Sequence, residues 1–351
     1  MDFASDNTVG AHELVLDALR KANSGTATSY GYDPWTRKAE AALSAVFERE
    51  VETYLVLTGT AANALALSSI CPAYGSVLCH EESHVNTDEC GAVEFFSGGR
   101  LTGLWAPSGK LDEPLITEAL DLALRGEHES KPSAISITQA TELGTVYSVE
   151  EVSAFGRLCK RRGLRLHMDG ARFANAVSFI GCTPADLTWK AGVDVMTFGA
   201  TKNGALALEA VVFFDTSLAE EFRRRRKRAG QLLSKGRFLG AQMLAYLKDD
   251  LWLKNSQHAN RMAALLAELM GKVKAVRLPL PTQANEVFAI LPRALHDGLL
   301  KHGAHYHEWP GKGPGTDTIG KTECFARFVT SFKTTDQEIK KLVQLVKRLT
   351  K

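Results

Sequence analysis

The chain has 351 residues, 45% of them apolar and 23% charged, with a formal net charge of +2. These are the proportions of a soluble globular protein with room for two domains, and the near-neutral balance gives no footing for nucleic-acid binding. The six cysteines form no CxxC pair, the opening MDFASDN lacks a signal pattern, and no apolar run is long enough to span a bilayer. A disulfide scaffold and a membrane protein are therefore set aside, and a cytoplasmic protein is expected.

ASDNTVG leads into an amphipathic helix, AHELVLDALRKAN, stopped by Ser24-Gly25, and then into SYGYDPWT, where Pro34 is expected to end regular structure. RKAEAALSAVFERE (37–50) is helix-periodic. TYLVLTGTAANALALSSI reads as strand, tight turn and helix, with Thr58, Gly59 and Thr60 at the junction. Backbone N–H groups at a helix start, a threonine hydroxyl and a glycine that admits close approach make an anion site. The next unit carries Cys79, His80, His84, Glu89 and Cys90. Their C-H-x3-H-x5-C spacing matches no common zinc pattern, so no metal is expected.

Residues 111–131 read as helical, and SAISITQATELG (133–144) as a strand and a loop that place Gln139 and Thr141 at the strand's C-terminal end. SVEEVSAFGRLCKRRG is a helix capped by Ser148, with Glu151 three residues on. GLRLHM is a short strand that delivers the Asp169 carboxylate to its end. VDVMTFGAT and GALALEAVVFF read as buried strands with Lys202 between them. Lysine is almost never buried without a partner or a task. A lysine with an aspartate on a neighbouring strand end is what pyridoxal phosphate chemistry needs. The amine forms a Schiff base with the aldehyde, and the carboxylate keeps the pyridine nitrogen protonated so that the ring takes up electrons.

The basic run RRRRKR (223–228) reads as a solvated helix face or a subunit contact. A change of composition at Lys248–Asn255 divides a large domain, residues 1–248, from a smaller one, 249–351, on which the N-terminal segment can also pack. HANRMAALLAELM and DQEIKKLVQLVKRL are helices of the smaller domain, CFARFVTSF contains a strand, and His302, His305 and His307 read as surface or strand residues. Strands alternating with helices imply an α/β fold with a mainly parallel sheet, whose ligands bind beyond the strands' carboxyl ends. Gly59, Gln139, Asp169 and Lys202 are all expected there.

MDGAR (168–172) followed by FGATKNG (198–204) resembles the low-specificity L-threonine aldolases, fold-type I enzymes of the β-eliminating lyase superfamily. TQATELGTVY (138–147) and PADLTWKAG (184–192) are similar to the bacterial branch, and the likeness runs from ASDN near the start to ARF near the end. The resemblance implies a fold-type I PLP-dependent transferase-like fold and retro-aldol cleavage of L-threonine, L-allo-threonine and related β-hydroxy-α-amino acids to glycine and an aldehyde. Another PLP-dependent β-eliminating lyase or a phenylserine-type aldolase is the alternative. A homotetramer, built as a dimer of dimers, is also implied.

By the same resemblance Lys202 carries the cofactor and Asp169 meets the ring nitrogen. His84 stacks on the ring and helps remove the β-hydroxyl proton, with His80 a bystander. Thr58, Gly59 and Thr60 hold the phosphate. Arg172 meets the ring oxygen or the substrate carboxylate. Arg327 binds that carboxylate with Ser5, and Tyr30 lies close to the substrate. Arg237 is a candidate for phosphate contact, since its region reaches a neighbouring subunit's site in related enzymes. Another branch of the aldolases has a histidine at the Thr141 position.

Overall fold

The computed structural model describes residues 1–123, 125–310 and 318–350. The β-branched and aromatic runs become strands: β1 (Glu52–Val56), β2 (Gly75–His80), β3 (Arg100–Leu104), β4 (Lys131–Thr138), β5 (Arg165–Gly170), β6 (Val195–Gly199) and β7 (Glu209–Phe213). They form one sheet in the order β1-β7-β6-β5-β4-β2-β3. β7 is antiparallel to both of its neighbours, and every other pair is parallel. The C-terminal ends of β1, β2, β4, β5 and β6 therefore share one edge, and β7 contributes its first residue, Glu209, to that same edge.

A second sheet contains β8 (Glu286–Pro292), β9 (His307–Glu308) and β10 (Glu323–Val329), antiparallel in the order β8-β10-β9. Its core joins Val287, Ala289 and Phe328 to Leu295, Leu342 and Val346 on two helices, Arg293–Lys301 and Asp336–Leu349. Phe3 is buried in this core, and its neighbour Asp2 bridges to His305. The helix Leu251–Met270 belongs to both cores. Its first turns hold Trp252 against Phe198 and Asn255 against the Asn203 carbonyl, while Met262, Leu266 and Met270 lie in the smaller core. Among the described residues no helix is long and apolar enough to cross a membrane.

Local signals account for several boundaries. Ser148 and Glu151 form a reciprocal capping box, and Gly163, with φ 68°, ends that helix in the left-handed region. Thr335 and Glu338 cap the last helix in the same way. Two expectations need correction. Pro34 starts a helix, Pro34–Val46, because its missing N–H costs nothing in the first turn and Asp33 accepts from the Thr36 N–H at 2.9 Å. Of the stretch 111–131, Glu113–Leu122 is α-helical and Gly126–His128 forms a 3-10 turn, and β4 already begins at Lys131.

Candidate active site

A cavity of about 570 Å³ opens at the shared strand edge, and Trp309 and Arg327, from the segment of the second sheet, also line it. Ser5, Thr58, Gly59, Thr60, His84, Asp169, Arg172, Lys202 and Arg327 all line it. Tyr30 and Arg237 are not among the lining residues. Tyr30 is exposed, with the Lys227 ammonium 5.0 Å from its ring centre, and Arg237 donates to the Gly25 carbonyl at 3.0 Å. Gln139 and Thr141 are also turned away from the cavity. The Gln139 side chain clamps both backbone groups of Tyr147, and the Thr141 hydroxyl meets that of Thr145. From that loop it is Thr138, Ala140 and Glu142 that face the cavity.

Asp169 is buried at the end of β5. Its Oδ1 accepts from the Ala171 N–H at 2.9 Å and its Oδ2 from the Asn63 amide at 2.8 Å. The same Asn63 nitrogen donates to Glu89 Oε1 at 2.9 Å, and that oxygen also meets His84 Nδ1 at 2.9 Å. The bond to Glu89 raises the His84 imidazole above its ordinary range, against the opposing effect of burial. Burial raises the Glu89 carboxyl too, while its hydrogen bond to His84 acts against that rise.

Lys202 sits in a tight turn, Thr201–Asn203, between β6 and β7. The Thr201 hydroxyl is bonded to both backbone groups of Leu208, and Glu209 Oε2 accepts from the Ala200 N–H at 2.9 Å. This staples the turn that carries the lysine. Burial pushes the Glu209 carboxyl up to about 7. Across the cavity, the helix Gly59–Ile70 begins with Thr58 accepting from the Ala61 N–H. Among the described residues beyond the adjoining chain, nothing lies within 4 Å of where a Cβ on Gly59 would stand, and Thr58, Gly59 and Thr60 line the cavity. A helix start of this kind binds anions.

The two arginines differ. Arg172 grips Asp6 through Nε at 2.8 Å and Nη2 at 3.2 Å, and lies 3.5 Å from Glu286. Burial works to raise the Asp6 carboxyl, but Arg172 and Lys202 outweigh it and hold it below its ordinary range. Arg327 stands over the Trp309 ring at 4.3 Å, its Nη1 is 3.6 Å from Glu286, and its buried Nε has no hydrogen-bond partner among the described residues. Burial lowers the Arg327 guanidinium, and Glu286 opposes that. Arg327 is thus the guanidinium with donors to spare.

Sequence reasoning passed over Asp6, Asn63, Glu142, Glu209 and Glu286. Glu142 is half-buried, with its Oε2 out of reach of solvent, and accepts from the His84 N–H at 2.8 Å and from the Thr138 hydroxyl at 3.0 Å. Burial pushes its carboxyl up to about 7. A signal existed for two of these residues. Glu209 and Glu286 each open an apolar strand run, EAVVFF and EVFAIL, where a charged side chain is unexpected. Among the described residues no group of three His, Cys, Asp or Glu could hold a metal ion. Cys79 is buried in an apolar cluster, and His80 bonds to the backbone of Ala106 and Glu82.

The Beta-eliminating lyase family matches residues 2–294. The low specificity L-threonine aldolase of Pseudomonas aeruginosa is 45% identical over 345 residues, which is 97% of this chain and 96% of that protein. The structure of a Leishmania major threonine aldolase superposes with a TM-score of 0.91 at 30% identity, over 100% of this chain and 99% of that one. An aspartate aminotransferase from Thermus thermophilus, at 16% identity, shares the fold with a TM-score of 0.70 over 99% of this chain and 91% of its own.

Proposed function

The chain belongs to the β-eliminating lyase family, among the low-specificity L-threonine aldolases, and from that premise we propose the chemistry of its cavity. The family is PLP-dependent. The reaction is cleavage of the Cα–Cβ bond of L-threonine, L-allo-threonine and related β-hydroxy-α-amino acids to glycine and an aldehyde. One observation carries the reading. A lysine, a buried aspartate and an open helix N-terminus line a single cavity at the carboxyl ends of the parallel strands.

These residues fit pyridoxal phosphate. Lys202 would bind its aldehyde carbon, Asp169 its ring nitrogen, His84 its ring face, and Thr58, Gly59 and Thr60 its phosphate. The open space before Gly59 suits that anion. Bound there, the cofactor would supply an electron sink for the pair left on Cα when a bond to it breaks. Two N–H donors, from Asn63 and Ala171, hold the Asp169 carboxylate in place at the strand end.

The remaining roles follow from the side chains. Arg327, with Ser5 nearby, takes the substrate carboxylate and so sets which bond to Cα is activated. Arg172, held by Asp6, braces the cavity wall. His84 accepts the β-hydroxyl proton, directly or through water, and the glycine carbon receives a proton in return. The cleavage is redox-neutral and needs no further reactant. We also propose a homo-oligomer, arranged as a dimer of dimers, with exposed apolar side chains such as Leu14, Tyr32 and Leu206 as candidate contacts.

Glycine and acetaldehyde released from L-threonine by the cofactor-loaded protein test the reading. 2-Oxobutyrate and ammonia in place of glycine and acetaldehyde would favour a different lyase. A marked preference for phenylserine would favour that type of aldolase.

A further inference from the structure

We propose that Glu89 is a positioning residue that fixes His84 by its Nδ1 and makes the imidazole a stronger base, with Asn63 tying this pair to Asp169. The inference rests on the cavity's being the aldolase site and deepens that reading.

The geometry starts at Asn63. Its amide nitrogen gives one hydrogen to Asp169 Oδ2 at 2.8 Å and the other to Glu89 Oε1 at 2.9 Å. Two buried carboxylates therefore meet at one donor nitrogen, and their charges repel. An amide can donate to both but carries no charge to offset either. The side chain of Glu89 is wholly buried and its Oε2 has no hydrogen-bond partner among the described residues, so an ionised Glu89 needs a cation close by. His84 Nδ1, 2.9 Å from Oε1, is the group in place to provide it.

An ionised Glu89 can only accept, so Oε1 takes a hydrogen from Asn63 and from Nδ1 alike, and Nδ1 bears the hydrogen. Nε2 is then the nitrogen free to exchange a proton with the cavity. Other charges also bear on the ring. Asp169, at the end of β5, favours a proton on it, while Lys202, in the turn after β6, disfavours one. Glu142, on the loop after β4, is bonded to the His84 main chain, and Asp88 lines the cavity on His84's own segment. In the resting state the imidazole carries its proton to higher pH than a free histidine. The neutral form that accepts the β-hydroxyl proton is reached above the His84 midpoint, so cleavage rises with pH through that midpoint.

The test is a pH titration of 15N-histidine-labelled holoenzyme by NMR, with the His84 signals assigned through their loss in His84→Asn. An opposite charge in contact moves a pKa by about one unit or more, so Glu89→Gln should lower the His84 midpoint by about one pH unit. The rising limb of kcat/KM for threonine should move down with it. Glu89→Asp keeps the charge at shorter reach and should fall between the two, which also serves if Glu89→Gln does not fold. A His84 midpoint unchanged in both variants would overturn the proposal, leaving Glu89 a packing residue. The titration reads a proton and not turnover. A shifted midpoint in a protein that releases no glycine would strike the proposed reaction and leave the role of Glu89 standing.

Discussion

Truncating Arg327 probes how this cavity would select one bond of its substrate. The guanidinium projects from β10, packed over Trp309 at 4.3 Å; Glu286, at 3.6 Å, leads the carboxylates that offset its charge, with Asp6 and Asp88 contributing less. Arg172 is committed to Asp6 by two hydrogen bonds, so it cannot take over a carboxylate without breaking that pair. Removing one partner of a desolvated charge pair costs about 2–5 kcal/mol, which is roughly 30-fold to several thousand-fold in kcat/KM. Arg327→Ala should therefore keep its cofactor absorbance and lose threonine cleavage by at least the lower figure. Arg327→Lys should recover only part of the loss, because an ammonium cannot make two parallel bonds to a carboxylate. The assay is kcat/KM for L-threonine in both variants at matched cofactor occupancy. Near-wild-type activity in Arg327→Ala would refute the assignment and transfer the carboxylate to Arg172.

Borohydride treatment of loaded protein should fix the cofactor to the peptide containing Lys202, and Lys202→Ala should retain none covalently; label on another lysine would remove Lys202 from its role. Gly59→Val should leave the fold intact, since space is open there, yet weaken cofactor binding by about tenfold, or about 1.4 kcal/mol. An unchanged affinity would place the phosphate elsewhere. Glu142 offers a pH test. Burial lifts its carboxyl from 4.5 to about 7, so between those values the native state holds a proton that the unfolded chain has released. Stability falls as pH rises through that window. Glu142→Gln removes this slope, so its advantage over wild type in denaturant melts should grow from pH 5 to pH 8. An equal difference at both pH values would count against a neutral Glu142.

The residues with a strong local signature were legible in the chain itself. Asp169 ends an apolar strand, Lys202 interrupts two of them, and Thr58-Gly59-Thr60 lies where a strand gives way to a helix. Each departs from its surroundings in a way that periodicity exposes. Caps such as Ser148 with Glu151 were readable for the same reason, since their partners are three residues apart. Folding decided what depends on distant segments meeting. Which side chains of the 138–142 loop face the cavity follows from Gln139 reaching back to Tyr147, an arrangement that the order of residues does not encode locally. Glu209 joins the site because β7 runs against its neighbours and brings its first residue to the edge where they end. Asp6, beside Arg172, and Glu286, between the two arginines, are far from both in sequence. A lone carboxylate gives no sign of the partner that makes its burial tolerable. Only packing of the two cores against each other supplies that partner, because a buried charge is held by what surrounds it rather than by what precedes it in the chain.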